Sequence, residues 1–318
     1  TRKMKKETYR IWREEEYSYP MAYGFLPKIT AYLHEDGKAR GGILVVPGGA
    51  YMAVSPTEGE LVALKFYEMG YQTFVLTYTT NLLQMEPLKM QPLRDISRAV
   101  RYIRKKGEDF AIADGRIAVC GFSAGGHLSA SLCVHFDDIK DEAPEYGGIS
   151  NRPDAAILSY PVITSGAYAH RESIEVLLGK DASEEELEYM SLEKHVTEHT
   201  PPCFVWATET DESVPVENSF LFIEACRKHG VPCAFHMFSK GRHGLSLADE
   251  DWAEGRKQDP YTTEQIGCII EKVKAGELTL PAGMQEKFSG GGDFPANIPD
   301  PEVAVWPILA DAFLQSHM

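Results

Sequence analysis

A serine hydroxyl is a weak nucleophile at neutral pH. A chain that makes one reactive must supply a base to take its proton and a carboxylate to hold that base in the right tautomer. Ser123 is the candidate nucleophile, in Gly121-Phe122-Ser123-Ala124-Gly125. This is the G-x-S-x-G pattern, in which a strained turn presents the serine and glycines clear the space around it. An apolar run, Ile117 to Cys120, precedes the turn, and a helical run from Ala124 to Phe136 follows it. A glycine-rich strand-to-helix turn with a capping serine is the bland alternative. The strand before and the helix after favour the nucleophile.

Of the ten histidines, His243 lies downstream and just past a strand end, in Lys240-Gly241-Arg242-His243-Gly244. That placement suits a general base; an exposed loop histidine is the alternative. Asp211 follows the apolar run Cys203 to Ala207 and precedes Val214-Pro215, which opens a helix. It is the candidate acid, with Glu209 as its nearest rival and an ordinary turn or cap role as the alternative. The resulting order of serine, acid and histidine is the one expected for a nucleophile on a strand-turn-helix elbow. Val46-Pro47-Gly48-Gly49-Ala50-Tyr51 follows the first strong strand. Its glycines allow the backbone to approach a substrate, so the N–H groups of Gly49 and Ala50, with that of Ala124, are the expected donors to a developing oxyanion. Gly48 and Tyr51 are candidate substrate contacts, Tyr51 as a wall of the acyl pocket. His127, just after the elbow glycines, is expected to pack at the start of its helix.

These groups need a scaffold that delivers them to one edge. From about Gly41 the chain alternates short apolar runs with amphipathic segments, which predicts an α/β fold with a mostly parallel central sheet flanked by helices. The strand candidates are Ile43 to Val46, Thr73 to Leu76, Ile117 to Cys120, Ala155 to Leu158, Cys203 to Ala207 and Ala234 to Phe238. Leu93, Ile96, Val100 and Ile103 recur at helical spacing, and another helix starts after Pro215 and stops at Gly230. The first forty residues, with stretches such as Ile29 to Leu33, suit antiparallel edge strands. Residues 164–201 interrupt the rhythm with acidic helical segments around Ser173 to Leu178 and Glu184 to Tyr189, and are read as a small cap. The whole of 1–318 is read as one domain.

The formal net charge of -15 works against capture of nucleic acid or anionic lipid and favours a neutral small-molecule substrate. No run of 18 apolar residues spans a membrane. The basic cluster Arg2, Lys3, Lys5, Lys6 is not followed by the apolar core of a signal peptide, and Met4 is the expected natural start. The six cysteines show no CxxC spacing, so buried free thiols are expected rather than a zinc site or a disulfide framework. A soluble, cytoplasmic chain without cofactor or metal is the expectation.

Taken together, Pro47-Gly48-Gly49-Ala50-Tyr51, Gly121 to His127, Asp211-Glu212-Ser213-Val214-Pro215 and Gly241-Arg242-His243-Gly244-Leu245 resemble the α/β-hydrolases of the acetyl esterase and acetylxylan esterase group, near the hormone-sensitive-lipase family. The resemblance runs from about Gly41 to Leu247. It implies the α/β-hydrolase fold and a cofactor-free carboxylesterase for short acyl, chiefly acetyl, esters of sugars or xylo-oligosaccharides. The roles of Ser123, Asp211 and His243 carry over. Three departures stand out. Pro47 replaces a His and Ala50 a third Gly in the oxyanion segment. Thr79 and Thr80 follow Tyr78 where relatives place an Arg that pairs with an acid at the position of Asp95, so that pair is missing. Residues 248–305 form a long insertion before the final helix, Val303 to Leu314. With Trp252, Tyr261, Phe288 and Gly290-Gly291-Gly292 it suits a loop over the site, an oligomer contact or a solvated decoration, and leaves a homo-oligomer open.

Rival functions remain at this stage. His195-Val196-Thr197-Glu198-His199 fits the inverted zinc-peptidase motif H-x-x-E-H, but that motif needs a helix of several turns, and Thr200-Pro201-Pro202 ends any helix at once. An amide hydrolase of the formamidase or prolyl-peptidase type would share the triad order. A non-catalytic binding protein of the same fold is opposed by the intact set Ser123, Asp211 and His243.

Overall fold

The computed structural model describes residues 3–284 and 296–318. Phe288 and Gly290-Gly291-Gly292 lie outside the described residues. Eight strands form a single sheet: β1 (Met4–Arg10), β2 (Lys28–His34), β3 (Arg40–Val46), β4 (Gln72–Thr77), β5 (Ile112–Phe122), β6 (Ala155–Ser159), β7 (Cys203–Thr208) and β8 (Cys233–Phe238). Their spatial order is β1-β2-β4-β3-β5-β6-β7-β8. β2 runs antiparallel to both β1 and β4, and every pair from β4 through β8 is parallel. Each apolar run read from the sequence lies inside one of these strands, and Ile29 to Leu33 lies inside β2. The edge strand β1 is mostly exposed and carries Lys5, Lys6, Glu7 and Arg10, charges that blunt a free edge.

The strand period of two distributes the apolar residues to both faces. Leu44, Val46, Ile117 and Val119 face one core, which they share with Leu93, Ile96, Val100 and Ile103 of α2 (Gln91–Lys105), Leu128 and Leu132 of α3 (Ala124–His135) and Phe222 of α6 (Glu217–Lys228). Ile43, Val45, Ala118 and Cys120 face the other, with Leu61, Val62 and Phe66 of α1 (Glu60–Glu68) and Trp306, Ala310 and Phe313 of α9 (Trp306–His317). Helices on both faces are what a buried parallel sheet requires. The final helix begins three residues later than the sequence suggests. Residues 301–305 form a turn, and Pro307 sits in the first turn of the helix, where a missing N–H costs nothing.

Between β6 and β7 the chain forms α4 (Arg171–Leu178) and α5 (Glu184–Tyr189). Ser183 and Glu186 make a reciprocal capping box at the start of α5. Ile174, Val176, Leu177 and Leu178 of α4 are buried in the first core, while Glu172, Glu175, Glu184, Glu185 and Glu188 face outward.

The described part of 248–305 contains α7 (Glu250–Ala253) and α8 (Glu264–Lys274). Trp252 and Val303 are buried in the second core. The Gln265 side chain accepts from Thr80 N–H at 2.8 Å and donates to Thr80 C=O at 2.6 Å, satisfying buried backbone beyond the end of β4. Lys6 of the edge strand bridges Glu60 and Asp259. No helix among the described residues is long and apolar enough to cross a membrane.

Asp95 shows how the fold accommodates the missing arginine. It is fully buried and accepts from Trp12 Nε1 at 2.9 Å, Thr79 N at 2.8 Å and Gln91 Nε2 at 2.9 Å. Burial without a cation pushes its carboxyl up to about 6.

Candidate active site

Three loops at the carboxyl ends of β5, β7 and β8 meet at Ser123. Its Oγ lies 2.8 Å from His243 Nε2, and His243 Nδ1 lies 2.7 Å from Asp211 Oδ2. The other Asp211 oxygen, Oδ1, accepts from Ser213 N–H and Val214 N–H, each at 2.9 Å. With its side chain 1% exposed, the carboxylate has a fixed orientation and every oxygen engaged. It compels His243 to carry its proton on Nδ1, which leaves Nε2 to accept from the serine hydroxyl. Glu209, the rival acid, is exposed, and the bond to His243 is made by Asp211. The His243 N–H donates to Glu212 at 3.2 Å, fixing the histidine loop from its backbone as well.

Ser123 sits at φ 55° and ψ -117° between β5 and α3, a region that L-residues rarely occupy. The turn is possible because its neighbours lack Cβ atoms. A Cβ on Gly121 would stand 2.3 Å from Gly125 O, and one on Gly125 would stand 2.1 Å from Val46 O.

The turn after β3 passes directly beside the serine. Gly49, Ala50 and Tyr51 have φ of 135°, 56° and 61°, so three successive residues hold the left-handed side of backbone space. Neighbours hold this strained turn in place. Tyr78 OH donates to Pro47 C=O at 2.5 Å, Asn81 N–H donates to Tyr51 C=O at 2.8 Å, and Gly48 N–H donates to Glu58 at 3.0 Å. The N–H groups of Gly49, Ala50 and Ala124 are not taken by any carbonyl or side chain among the described residues.

Two expected substrate contacts need correction. Tyr51 is 1% exposed; its positive φ turns the ring inward, and its hydroxyl donates to His127 Nδ1 at 2.7 Å. It supports the turn from below rather than lining a pocket. Gly48 spends its N–H on Glu58, and a Cβ there would meet Phe122 O at 2.6 Å and Ser123 Cβ at 3.0 Å. Close packing on the elbow, not contact with a substrate, requires this glycine. His127 is buried near the start of α3 and passes a hydrogen bond from Nε2 to Met190 C=O at 2.9 Å, linking the turn to the cap. Burial holds its imidazole down to about 4, so it stays neutral where His243 must work.

Sequence reasoning missed Glu58 and Tyr160. Glu58 is 5% exposed, and it accepts from Gly48 N–H and from Tyr160 OH. Tyr160 OH also accepts from Ser246 N–H at 3.0 Å, and its ring lies edge-on to His243 with centroids 4.9 Å apart. The H-x-x-E-H segment is not a helix. A short 3-10 turn ends at His195, whose Nε2 bonds Glu188 C=O, and His199 is exposed beside Glu198.

A family model, BD-FAE, matches residues 31–226. An endo-1,4-beta-xylanase B of Butyrivibrio fibrisolvens is 51% identical over 255 residues, which cover 80% of this chain and 40% of that protein. An acetylxylan esterase of Xylanibacter ruminicola is 29% identical over 278 residues, covering 78% of this chain and 55% of that protein. The chain therefore spans about half or less of the length of these curated relatives. The crystal structure of an acetyl ester-xyloside bifunctional hydrolase from Caldicellulosiruptor lactoaceticus superposes with a TM-score of 0.71 and 34% identity, over 86% of this chain and 97% of that one. The family match covers well over half of the chain and bears out the resemblance read from the four motifs: the chain belongs to the BD-FAE family and has the α/β-hydrolase fold.

Proposed function

We propose that this chain is a serine carboxylesterase that removes short acyl groups, chiefly acetyl, from sugars or xylo-oligosaccharides. The observation that carries this reading is the hydrogen-bonded chain Asp211–His243–Ser123 at 2.7 and 2.8 Å, set beside a strained turn with uncommitted N–H groups. Ser123 Oγ attacks the ester carbonyl carbon while His243 Nε2 takes its proton, and the imidazolium is held by Asp211. The negative oxygen of the tetrahedral intermediate is received by the N–H groups of Gly49, Ala50 and Ala124; one such donor is typically worth about 2.7–4 kcal/mol of barrier. The C–O bond to the alcohol then breaks as His243 returns the proton to the leaving oxygen. Water repeats the sequence on the acyl-enzyme, releasing the acid and restoring Ser123. A metal ion has no step in this scheme.

Two of the similar proteins, an acetylxylan esterase and an acetyl ester-xyloside bifunctional hydrolase, support the acetyl and xylo-oligosaccharide part of the proposal. The cap supports the short chain. Ile174, Val176, Leu177 and Leu178 of α4 are spent on the core and the outer face of the cap is acidic, which supports a site with little apolar surface for a long acyl tail. Each methylene that finds an apolar pocket would bring about 0.8 kcal/mol; here that gain is expected to be absent. Along p-nitrophenyl esters, kcat/KM should peak at acetate or propionate, with acetylated xylo-oligosaccharides turned over and anilides of the same acids not. A peak at octanoate or longer contradicts the short-chain reading, and faster anilide cleavage contradicts the ester reading. The six cysteines are unpaired, which supports the cytoplasmic setting expected from the sequence.

A further inference from the structure

We propose that Glu58 is a positioning residue of this site: an ionised carboxylate that ties the oxyanion turn to the histidine loop through Tyr160 and places a negative charge behind His243. This rests on the ester-hydrolase reading above and adds a residue to it.

Glu58 accepts from Gly48 N–H through Oε1 and from Tyr160 OH through Oε2. The Tyr160 oxygen is itself the acceptor for Ser246 N–H, so its one proton has to point at Glu58. Every polar neighbour of the carboxyl therefore donates. A proton added to Glu58 would leave either itself or the Tyr160 proton without an acceptor, and an unsatisfied buried donor is costly. Burial pushes this carboxyl up on balance, with Tyr160, His243 and the Gly48 N–H opposing it, so the ionised form rests on the all-donor geometry around it.

The same carboxylate joins two loops of the site. Gly48 opens the turn whose next residues, Gly49 and Ala50, are the proposed oxyanion donors. Ser246 lies three residues past His243, at φ 49°, and its C=O is anchored by Trp306 Nε1 at 2.8 Å. Tyr160 stands between them, itself at φ 35°, with its N–H on Trp206 C=O at 2.7 Å. One carboxylate thus sets the spacing between the donors that meet the oxyanion and the loop that carries the base. Small changes in such spacing cost large factors in rate.

When Ser123 attacks, His243 becomes an imidazolium, and an anion beyond the Tyr160 ring stabilises it in addition to Asp211. The other titratable or charged groups around His243 are Asp211 on its Nδ1, Glu212 on its N–H, His170 from the cap and Arg242 beside it in the chain. Around Glu58 they are Tyr160, Tyr78 and the buried Cys120. Burial and the neighbouring His243 lower His170, and burial pushes Cys120, Tyr78 and Tyr160 up, so each of these groups is biased toward its neutral form.

The test is the pH profile of kcat/KM on p-nitrophenyl acetate for Glu58→Gln, Glu58→Asp and Tyr160→Phe, with a melting curve for each. Glu58→Gln keeps an acceptor for Gly48 but loses the charge. It should lower kcat about 10- to 100-fold with KM within about threefold, and move the acid limb down by about half a unit because His243 loses an anion. Glu58→Asp keeps the charge, so its acid limb should stay at the wild-type position even where kcat falls. Tyr160→Phe cuts the link to Ser246 and should lower kcat about tenfold; it decides the matter where Glu58→Gln does not fold. An unmoved acid limb in Glu58→Gln, or wild-type kcat in Tyr160→Phe, overturns the proposal. Inactivity of Ser123→Ala alongside either result keeps the hydrolase reading intact, whereas an active Ser123→Ala sinks that reading first.

Discussion

Replacing Ser123 by alanine is expected to lower kcat for p-nitrophenyl acetate by roughly 10⁶-fold while leaving the melting temperature within about two degrees. The nucleophile is the only oxygen lost. Ser123 makes a single side-chain hydrogen bond, to His243, and alanine occupies the same strained φ of 55° as readily as serine. The surrounding requirements, the missing Cβ atoms at Gly121 and Gly125 and the backbone bond from Ser123 N–H to Ser159 C=O, are untouched. The collapse should therefore appear in kcat and not in stability. More than a few per cent of residual activity in the pure variant would mean that another group attacks the ester.

Asp211→Asn should cost roughly 10⁴-fold in kcat at neutral pH, and the geometry explains why so small a change does so much. The N–H groups of Ser213 and Val214 both need an acceptor and take it from Oδ1. An asparagine must keep its carbonyl oxygen there, so its NH₂ turns to His243. Nδ1 is then forced to accept, the imidazole proton moves to Nε2, and the base offers a donor to Ser123 where it should take a proton. Burial at 1% exposure prevents the side chain from rotating away. Activity measured from pH 5 to 9 checks this, and a loss below about tenfold would assign the acid's role elsewhere.

The elements of this site were legible in the sequence because each follows a local rule. Six apolar runs lie within strands, and Ser123, Asp211 and His243 each lie just past the carboxyl end of one of them. The supporting residues were not legible, because they act across distance in the chain. Glu58 follows Ser55-Pro56-Thr57 and looks like the opening of a helix; nothing local says that it reaches back ten residues to Gly48 and across 102 to Tyr160. A carboxylate at the end of the short turn Pro56–Glu58, just before the buried Leu61, Val62 and Ala63 of α1, was the available signal. Tyr51 misled for the opposite reason. An aromatic beside Pro-Gly-Gly suits a pocket wall, but three positive φ values in a row invert its direction. At Asp95 the sequence correctly showed a missing cation, while its replacement, a Trp12 indole 83 residues away with two neutral donors, is a tertiary solution that no spacing rule anticipates.

The central claim is that Ser123 is the activated nucleophile, and a fluorophosphonate tests it most directly. Ser123 Oγ would form a bond to phosphorus as fluoride leaves and His243 takes the proton, and the product is too slow to hydrolyse to escape detection. Intact-mass and peptide sequencing should find one adduct per chain, on Ser123, rising in step with the loss of esterase activity and missing from Ser123→Ala and strongly slowed in His243→Ala. An adduct on a different residue, or full activity in protein stoichiometrically labelled at Ser123, would contradict the account.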